Sequence, residues 1–237
     1  MNISRQFFGA AYCCLAVLVG CASNRMPSMA ELQPRAQNGD AVAQRELGEK
    51  FDFGYDAKQD YMEAAKWYQM AANQGDAKAQ NNLGSFYQFG LGVATNYSKA
   101  FELYKQSAGQ NFAPAQNNLG YMYDFGLGVP TNEVTADSWY QRAAEQGYPA
   151  AMMNLGINYV EGKGVASDLP QGFMWLQMAR IFTERSQDIK LKQNILHHMY
   201  VLKKHMTPEE VKTGERLANE QYYKFTGHPP LWEDEFR

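Results

Sequence analysis

The chain has 237 residues, of which 45% are hydrophobic and 20% charged, a composition that excludes a disordered polymer and suits one globular or solenoid domain with an ordinary core. Lys and Arg number 22 against 25 Asp and Glu, for a net charge of −3. That balance lacks the basic footprint needed to neutralise a phosphate backbone, so nucleic acid is not an expected partner.

At the N-terminus Arg5 precedes an almost unbroken apolar run from Phe7 to Val19. The run is shorter than the roughly 20 residues a helix needs to span a bilayer, and it reads as a secretory leader over residues 1–20. It ends in Leu18-Val19-Gly20-Cys21, which resembles the lipobox of bacterial lipoproteins, where the cysteine is lipidated and becomes the first residue. Cys13 and Cys14 fall inside the leader, so after cleavage Cys21 is the only cysteine and no disulfide or thiolate metal site is expected. Acyl chains on Cys21 would anchor the protein without a spanning helix. By resemblance to Gram-negative lipoproteins, Ala22 after the cysteine implies the outer membrane, facing the periplasm. Residues 21–35 are read as the lipidated cysteine, a tether and a partial N-terminal cap.

From residue 36 to 183 the chain repeats itself. Leu47-Gly48, Leu83-Gly84, Leu119-Gly120 and Leu155-Gly156 recur at one unbroken spacing, and Ala43, Ala79, Ala115 and Ala151 recur in the same frame. Within each unit the alanine, the leucine and an aromatic (Phe51, Tyr87, Tyr123, Tyr159) stand at i, i+4 and i+8, one stripe of a helix that faces the core. The mid-helix glycines predict close approach of a neighbouring helix. Gly54, Gly90, Gly126 and Gly162 predict the helix stop. A second helix is expected after Asp60, Asn96, Asn132 and Asp168, whose side chains can accept hydrogen bonds from first-turn amides. Those helices carry Trp67-Tyr68, Leu103-Tyr104, Trp139-Tyr140 and Trp175-Leu176, each followed by a small residue four positions on.

Alanine, Leu-Gly, aromatic, Gly-x-Gly-Val, Asp or Asn, Trp-Tyr, Ala-Ala and Gln-Gly in this order resemble the Sel1-like repeat family, over about three fifths of the chain. The resemblance implies an all-α fold, a right-handed α/α solenoid of four helix-turn-helix repeats similar to tetratricopeptide repeats, and a role as adaptor or scaffold. Two departures stand out. Unit one has Gly54-Tyr55-Asp56-Ala57 where the turn motif should be, and the cysteine pairs of the cysteine-rich subfamily are missing.

Residues 184–237 are read as C-terminal capping helices and a tail. Ser186 to Met206 has helical character, and Thr207-Pro208-Glu209-Glu210 is a capping box that starts a last helix to about Phe225. The tail Pro229-Pro230-Leu231-Trp232-Glu233-Asp234-Glu235-Phe236 combines aromatic and acidic residues; it is either a recognition motif or a segment that docks on the chain itself.

Helical periodicity places one side of each first helix away from the core stripe. That side reads Arg45, Glu49, Asp52 in unit one, Asn81, Ser85, Gln88 in unit two, Asn117, Tyr121, Asp124 in unit three and Met153, Ile157, Val160 in unit four. By resemblance to tetratricopeptide repeats it lines a groove, and Asn81, Ser85, Gln88, Asn117, Tyr121 and Asp124 are the expected partner-binding residues. The alternative is a solvated helix face. Met153, Ile157 and Val160 are expected to lie under the C-terminal helices, with a partner surface as the alternative.

No nucleophile, phosphate-loop or metalloprotease pattern is present. His198 and His205 share a helix face, with no carboxylate at the spacing that would complete a metal site. The reading is therefore a non-enzymatic, monomeric, membrane-anchored adaptor of the cell envelope that binds an unidentified protein or peptide and needs no cofactor or metal. The alternatives are an immunity protein against a delivered toxin, or a cell-wall-binding or cell-wall-active lipoprotein.

Overall fold

A computed structural model describes residues 27–184, 186 and 188–228. Among these are eleven α-helices and no strand: α1 (Met29–Gln37), α2 (Ala41–Phe53), α3 (Tyr61–Asn73), α4 (Ala77–Phe89), α5 (Tyr97–Gly109), α6 (Ala113–Phe125), α7 (Glu133–Ala144), α8 (Pro149–Glu161), α9 (Leu169–Thr183), α10 (Ile189–Lys203) and α11 (Pro208–Thr226). The segment expected to be a leader, Cys21 and the aromatic-acidic tail lie outside the described residues. None of these helices is long and apolar enough to cross a membrane.

Side chains start most of the helices, with α6 and α8 beginning instead at Phe112 and Tyr148 with a proline in the first turn, and left-handed glycines stop the first helix of each repeat. In α4 the Asp76 carboxylate accepts from the Ala79 amide at 2.7 Å, and Gly90 closes the helix in the left-handed region at φ 71°, its amide donating to the Phe86 carbonyl at 2.8 Å. The cap of the second helix has two roles. The Asn96 side chain accepts from Lys99 N–H at 3.0 Å, while its own amide donates to the Tyr87 carbonyl at 2.8 Å. Asp60, Asn132 and Asp168 repeat that pair of bonds, their amides donating to Phe51, Tyr123 and Tyr159. A side chain that caps the second helix while its backbone is tied to the first fixes the angle between them.

The chain divides into two compact units, one of residues up to Met122 with Gly126–Pro130, the other of Tyr123–Phe125 with Thr131 onward. In the first, α1 packs on α2, α2 on α3, α3 on α4 and α4 on α5. Leu32, Ala36, Ala43 and Leu47 form one buried cluster and Ala64, Tyr68, Ala71, Ala79, Leu83 and Phe86 another. The mid-helix glycines are where tyrosine rings land. A Cβ on Gly48 would stand 2.6 Å from the Tyr68 ring, and one on Gly84 2.8 Å from the Tyr104 ring, so alanine would force a ring or a helix to move.

In the second unit α7 packs on α8, α8 on α9, and α9 carries both α10 and α11. The expected capping box is present at α11, where Thr207 N–H donates to the Glu210 carboxylate at 2.7 Å. A Cβ on Gly214 of α11 would meet Phe173 near the start of α9, while Phe225 meets Phe182 near its end with centroids 5.4 Å apart. The two helices are therefore parallel. Lys203 at the end of α10 lies over Phe173, so α10 runs antiparallel to both.

Candidate functional site

The side of the first helices expected to be open is largely closed. Asn81, Ser85, Gln88 and Asn117 retain only 4%, 2%, 8% and 9% of their accessible surface. The expectation that they are exposed is corrected. Tyr121 and Asp124 on α6 are half-buried. The reason is the number of helices each first helix meets: α4 packs against α3 as well as α5, so two of its faces are inside and a pattern assigning it one apolar stripe undercounts its burial.

Asn81, Ser85 and Gln88 are internally paired. Asn118 Nδ2 donates to Asn81 Oδ1 at 2.9 Å across successive repeats, and Ser85 Oγ donates to the Asn82 carbonyl at 2.7 Å. The Tyr104 hydroxyl donates to Gln88 Oε1 at 2.8 Å. Unit one has the same bond in acidic form, the Tyr68 hydroxyl on Asp52 at 3.1 Å. Gln88 thus serves a buried tyrosine of its own repeat.

A second row of amides links the repeats. Gln44 Nε2 donates to the Ala36 carbonyl at 3.0 Å and receives Gln74 Nε2 on its Oε1 at 2.7 Å. One repeat later Gln80 donates to the Ala72 carbonyl at 3.3 Å and receives Gln110 at 2.8 Å. These glutamines add a second donor to carbonyls in the last turns of α1 and α3, which also accept from the Gly39 and Gly75 amides. The sequence reading did not identify them, although Gln44, Gln80 and Gln116 stand one repeat apart.

Unit one carries charge on the same face. Arg45 contacts Glu49 at 2.5 Å, Glu46 at 3.5 Å and Asp76 at 3.5 Å. Burial works against its charge, but Glu49, Asp76 and Glu46 together raise its pKa. Burial pushes Asp52 up to about 6, the Tyr68 hydroxyl opposes the shift, and the Glu49 charge adds to it.

Of the apolar residues in unit four, Ile157 is buried and Met153 and Val160 are half-buried, and α10 touches α8. Among the described residues no three His, Cys, Asp or Glu side chains converge on a point that could hold a metal ion; the His197 and His198 rings are 5.9 Å apart. Exposed aromatics are present instead: Phe89, at the end of α4, and Tyr97, at the start of α5, are exposed in the first unit, and Phe125 is exposed in the second.

Helix pairs of this construction, repeated four times, define a helical-repeat protein. The Sel1 repeat family model matches residues 41–76, 77–112, 113–148 and 149–180, and the chain belongs to the Sel1 repeat family, an all-α solenoid fold. Among solved structures it is similar to a Sel1 repeat protein from Oxalobacter formigenes, with 29% identity, TM-score 0.62, and 83% of this chain and 81% of that one covered. It also shares its fold with a protective antigen present in uropathogenic Escherichia coli strains, described as displaying an SLR fold, at 24% identity and TM-score 0.54. That match covers 88% of this chain but spans only 51% of the antigen. No curated protein matches. Sel1 repeat proteins generally mediate protein–protein interaction and are typically non-catalytic scaffolds.

Proposed function

We propose that this protein is a membrane-tethered adaptor of the bacterial cell envelope, anchored through Cys21 and holding a protein or peptide partner. The observation that carries the reading is the run of four Sel1 repeats, an architecture whose stacked helices expose long surfaces to other chains. The Leu18-Val19-Gly20-Cys21 motif behind an apolar leader supports the anchor. A tether confines encounter to the membrane surface, so that several modest contacts suffice for stable engagement. Outer-membrane attachment facing the periplasm is part of the proposal, on the strength of Ala22.

The partner contact is assigned to Tyr121, which keeps part of its surface on α6, while Asp124 stands in the column of Asp52 and Gln88, sixteen residues before the buried Tyr140. The buried Asn81, Ser85, Gln88 and Asn117 act by fixing the helices that present it. Two experiments in cells test the halves separately. Labelled palmitate should enter the wild-type protein and not Cys21→Ser, and incorporation into both removes the anchor. Cross-linking from the Tyr121 position in the full chain should give one dominant protein adduct that the same probe at Val134, exposed on α7, does not give. An adduct pattern that is the same from both positions removes the contact and leaves the fold without an assigned face.

A further inference from the structure

Helix α10 has two apolar rows. Ile195, Met199 and Leu202 are buried. Ile189, Leu196 and Tyr200 form a second row, rotated by about a third of a turn from the first, and they are 66%, 53% and 62% exposed. Single exposed apolar residues are ordinary, but three in one row on a surface helix mark a contact. Lysines border that row on both sides. Lys192 and Lys203 flank it on the side of the buried row, and Lys190 and Lys204 on the other, with Lys204 Nζ 4.1 Å from the centroid of the Tyr200 ring. No Asp or Glu occurs between Asp188 and Glu209. Lys203 faces Glu215 at 4.0 Å, too far for a hydrogen bond, and Lys192 donates to a backbone carbonyl, that of Glu184, at 2.8 Å. The face is apolar along its middle and basic along both margins.

We infer that the row formed by Ile189, Leu196 and Tyr200 is the docking site of the chain's own segment 229–237, with Trp232 and Phe236 on the apolar row and Glu233, Asp234 and Glu235 against the bordering lysines. The chemistry matches residue type for residue type: Leu231, Trp232 and Phe236 bracket three consecutive carboxylates. The topology matches too. Because α11 is parallel to α9, it ends beside Phe182, close in sequence to the 184–188 connection that leads into Ile189. The segment therefore leaves His228 at the end of the second unit where α10 begins. An extended chain covers about 3.3 Å per residue, so Trp232 reaches about 13 Å and Phe236 about 26 Å from His228. The stretch of α10 from Ile189 to Tyr200 is about 16 Å long, within that span. Covalent linkage keeps the segment at an effective concentration on the order of millimolar, so weak contacts suffice.

A photo-reactive benzoylphenylalanine in place of Tyr200 in the full chain tests this, with Val134 on α7, also exposed, as the control position. Illumination should link Tyr200's position to peptides from 229–237, with a yield independent of protein concentration, and Val134's should not. The combined variant Glu233→Lys, Asp234→Lys, Glu235→Lys should lower that yield roughly ten-fold, and adding Lys190→Glu and Lys204→Glu should recover most of it. Lys190 and Lys204 are exposed, and an unchanged helical spectrum checks that the variants fold. Adducts to lipid, adducts between two copies that scale with concentration, adducts to any other protein, or tail adducts indifferent to the charge swap would each overturn the assignment.

Discussion

Repeats two and four solve one packing problem with polarity placed in opposite columns. In repeat two the buried polar bond joins Tyr104 to Gln88; the same two positions in repeat four are Leu176 and Val160. Conversely, Phe86 of repeat two sits in an aromatic cluster, edge-on to Tyr68 with centroids 5.3 Å apart, while its counterpart Asn158 donates to the buried Asp137 carboxylate at 2.5 Å. Between these repeats the polar bond moves from the Gln88 column to the Phe86 column, where Asn158 stands. The Gln88 column varies together with the residue sixteen on, polar with Tyr104 and apolar with Leu176, because a buried polar atom without its mate is what costs stability.

The largest effect should come from removing one mate of the Asn158–Asp137 bond. Asn158→Ala removes the amide that holds Asp137, both residues being buried, and should lower stability by about 3 kcal/mol, read as a lower urea midpoint at unchanged slope. If the loss is a few tenths, the pair is not a unit and the comparison fails. In repeat two, Tyr104→Phe orphans Gln88 and should cost about 1.5 kcal/mol. Adding Gln88→Leu imports the apolar solution of repeat four and should return most of that loss. A double-mutant cycle with no coupling would show that the hydroxyl bond contributes nothing.

The difference between these pairs also explains what was legible in the sequence. Helix ends were legible because Asp60, Asn96, Asn132 and Asp168 act locally, on amides two or three residues away. The glycine-for-close-approach reading held at Gly48 and Gly84 because a missing Cβ has few other uses. The candidate site was misread where exposure was inferred from the period of one helix. Asn81, Ser85, Gln88 and Asn117 are polar and off the core stripe yet buried; α4 has a second neighbouring helix, and periodicity within one helix carries no information about a third. A signal was present in pairs of columns. Asp52 with Tyr68, Gln88 with Tyr104 and Val160 with Leu176 are each sixteen residues apart, polar with tyrosine and apolar with leucine. Reading columns jointly would have assigned Gln88 to its tyrosine.

Repeats one and two differ in charge at this pair, and pH separates them. Asp52, buried, has its pKa pushed up to about 6, above the value near 3.9 of an unfolded aspartate. A group whose folded pKa is raised contributes stability that is full below the unfolded value and is lost as pH rises through the folded one. Between about pH 4 and pH 6 the wild type should therefore lose stability on this account. Asp52→Asn keeps an acceptor for Tyr68, imitates the neutral Gln88 of repeat two, and should be more stable than wild type by about 1 kcal/mol at pH 7, with the gap closing towards pH 4. Unfolding curves of both proteins at the two pH values check it. A gap that is equal at both would place its origin outside the titration of Asp52.

The smallest effect concerns the turn that departs from the motif. Gly92 and Gly128 are left-handed, and a side chain there would run into the backbone of Tyr61 and of Tyr97, the first residues of α3 and α5. Asp56 holds the equivalent place in repeat one, also left-handed at φ 61°. In the repeat frame α1 begins at Met29, four residues later than α3 begins at Tyr61. Backbone strain alone would make Asp56→Gly stabilising, by up to about 1 kcal/mol. Against that, Asp56 takes the ammonium of Lys50 at 2.5 Å, and Lys50 is buried at 6% exposure. Removing the carboxylate leaves a buried cation without its partner, which outweighs the relieved strain. Asp56→Gly should therefore lower stability by about 0.5 to 1 kcal/mol, and Asp56→Gly with Lys50→Met should lose less than Asp56→Gly alone. A glycine variant more stable than wild type would mean that the Lys50 pair is solvated and that the strain at Asp56 is the larger quantity.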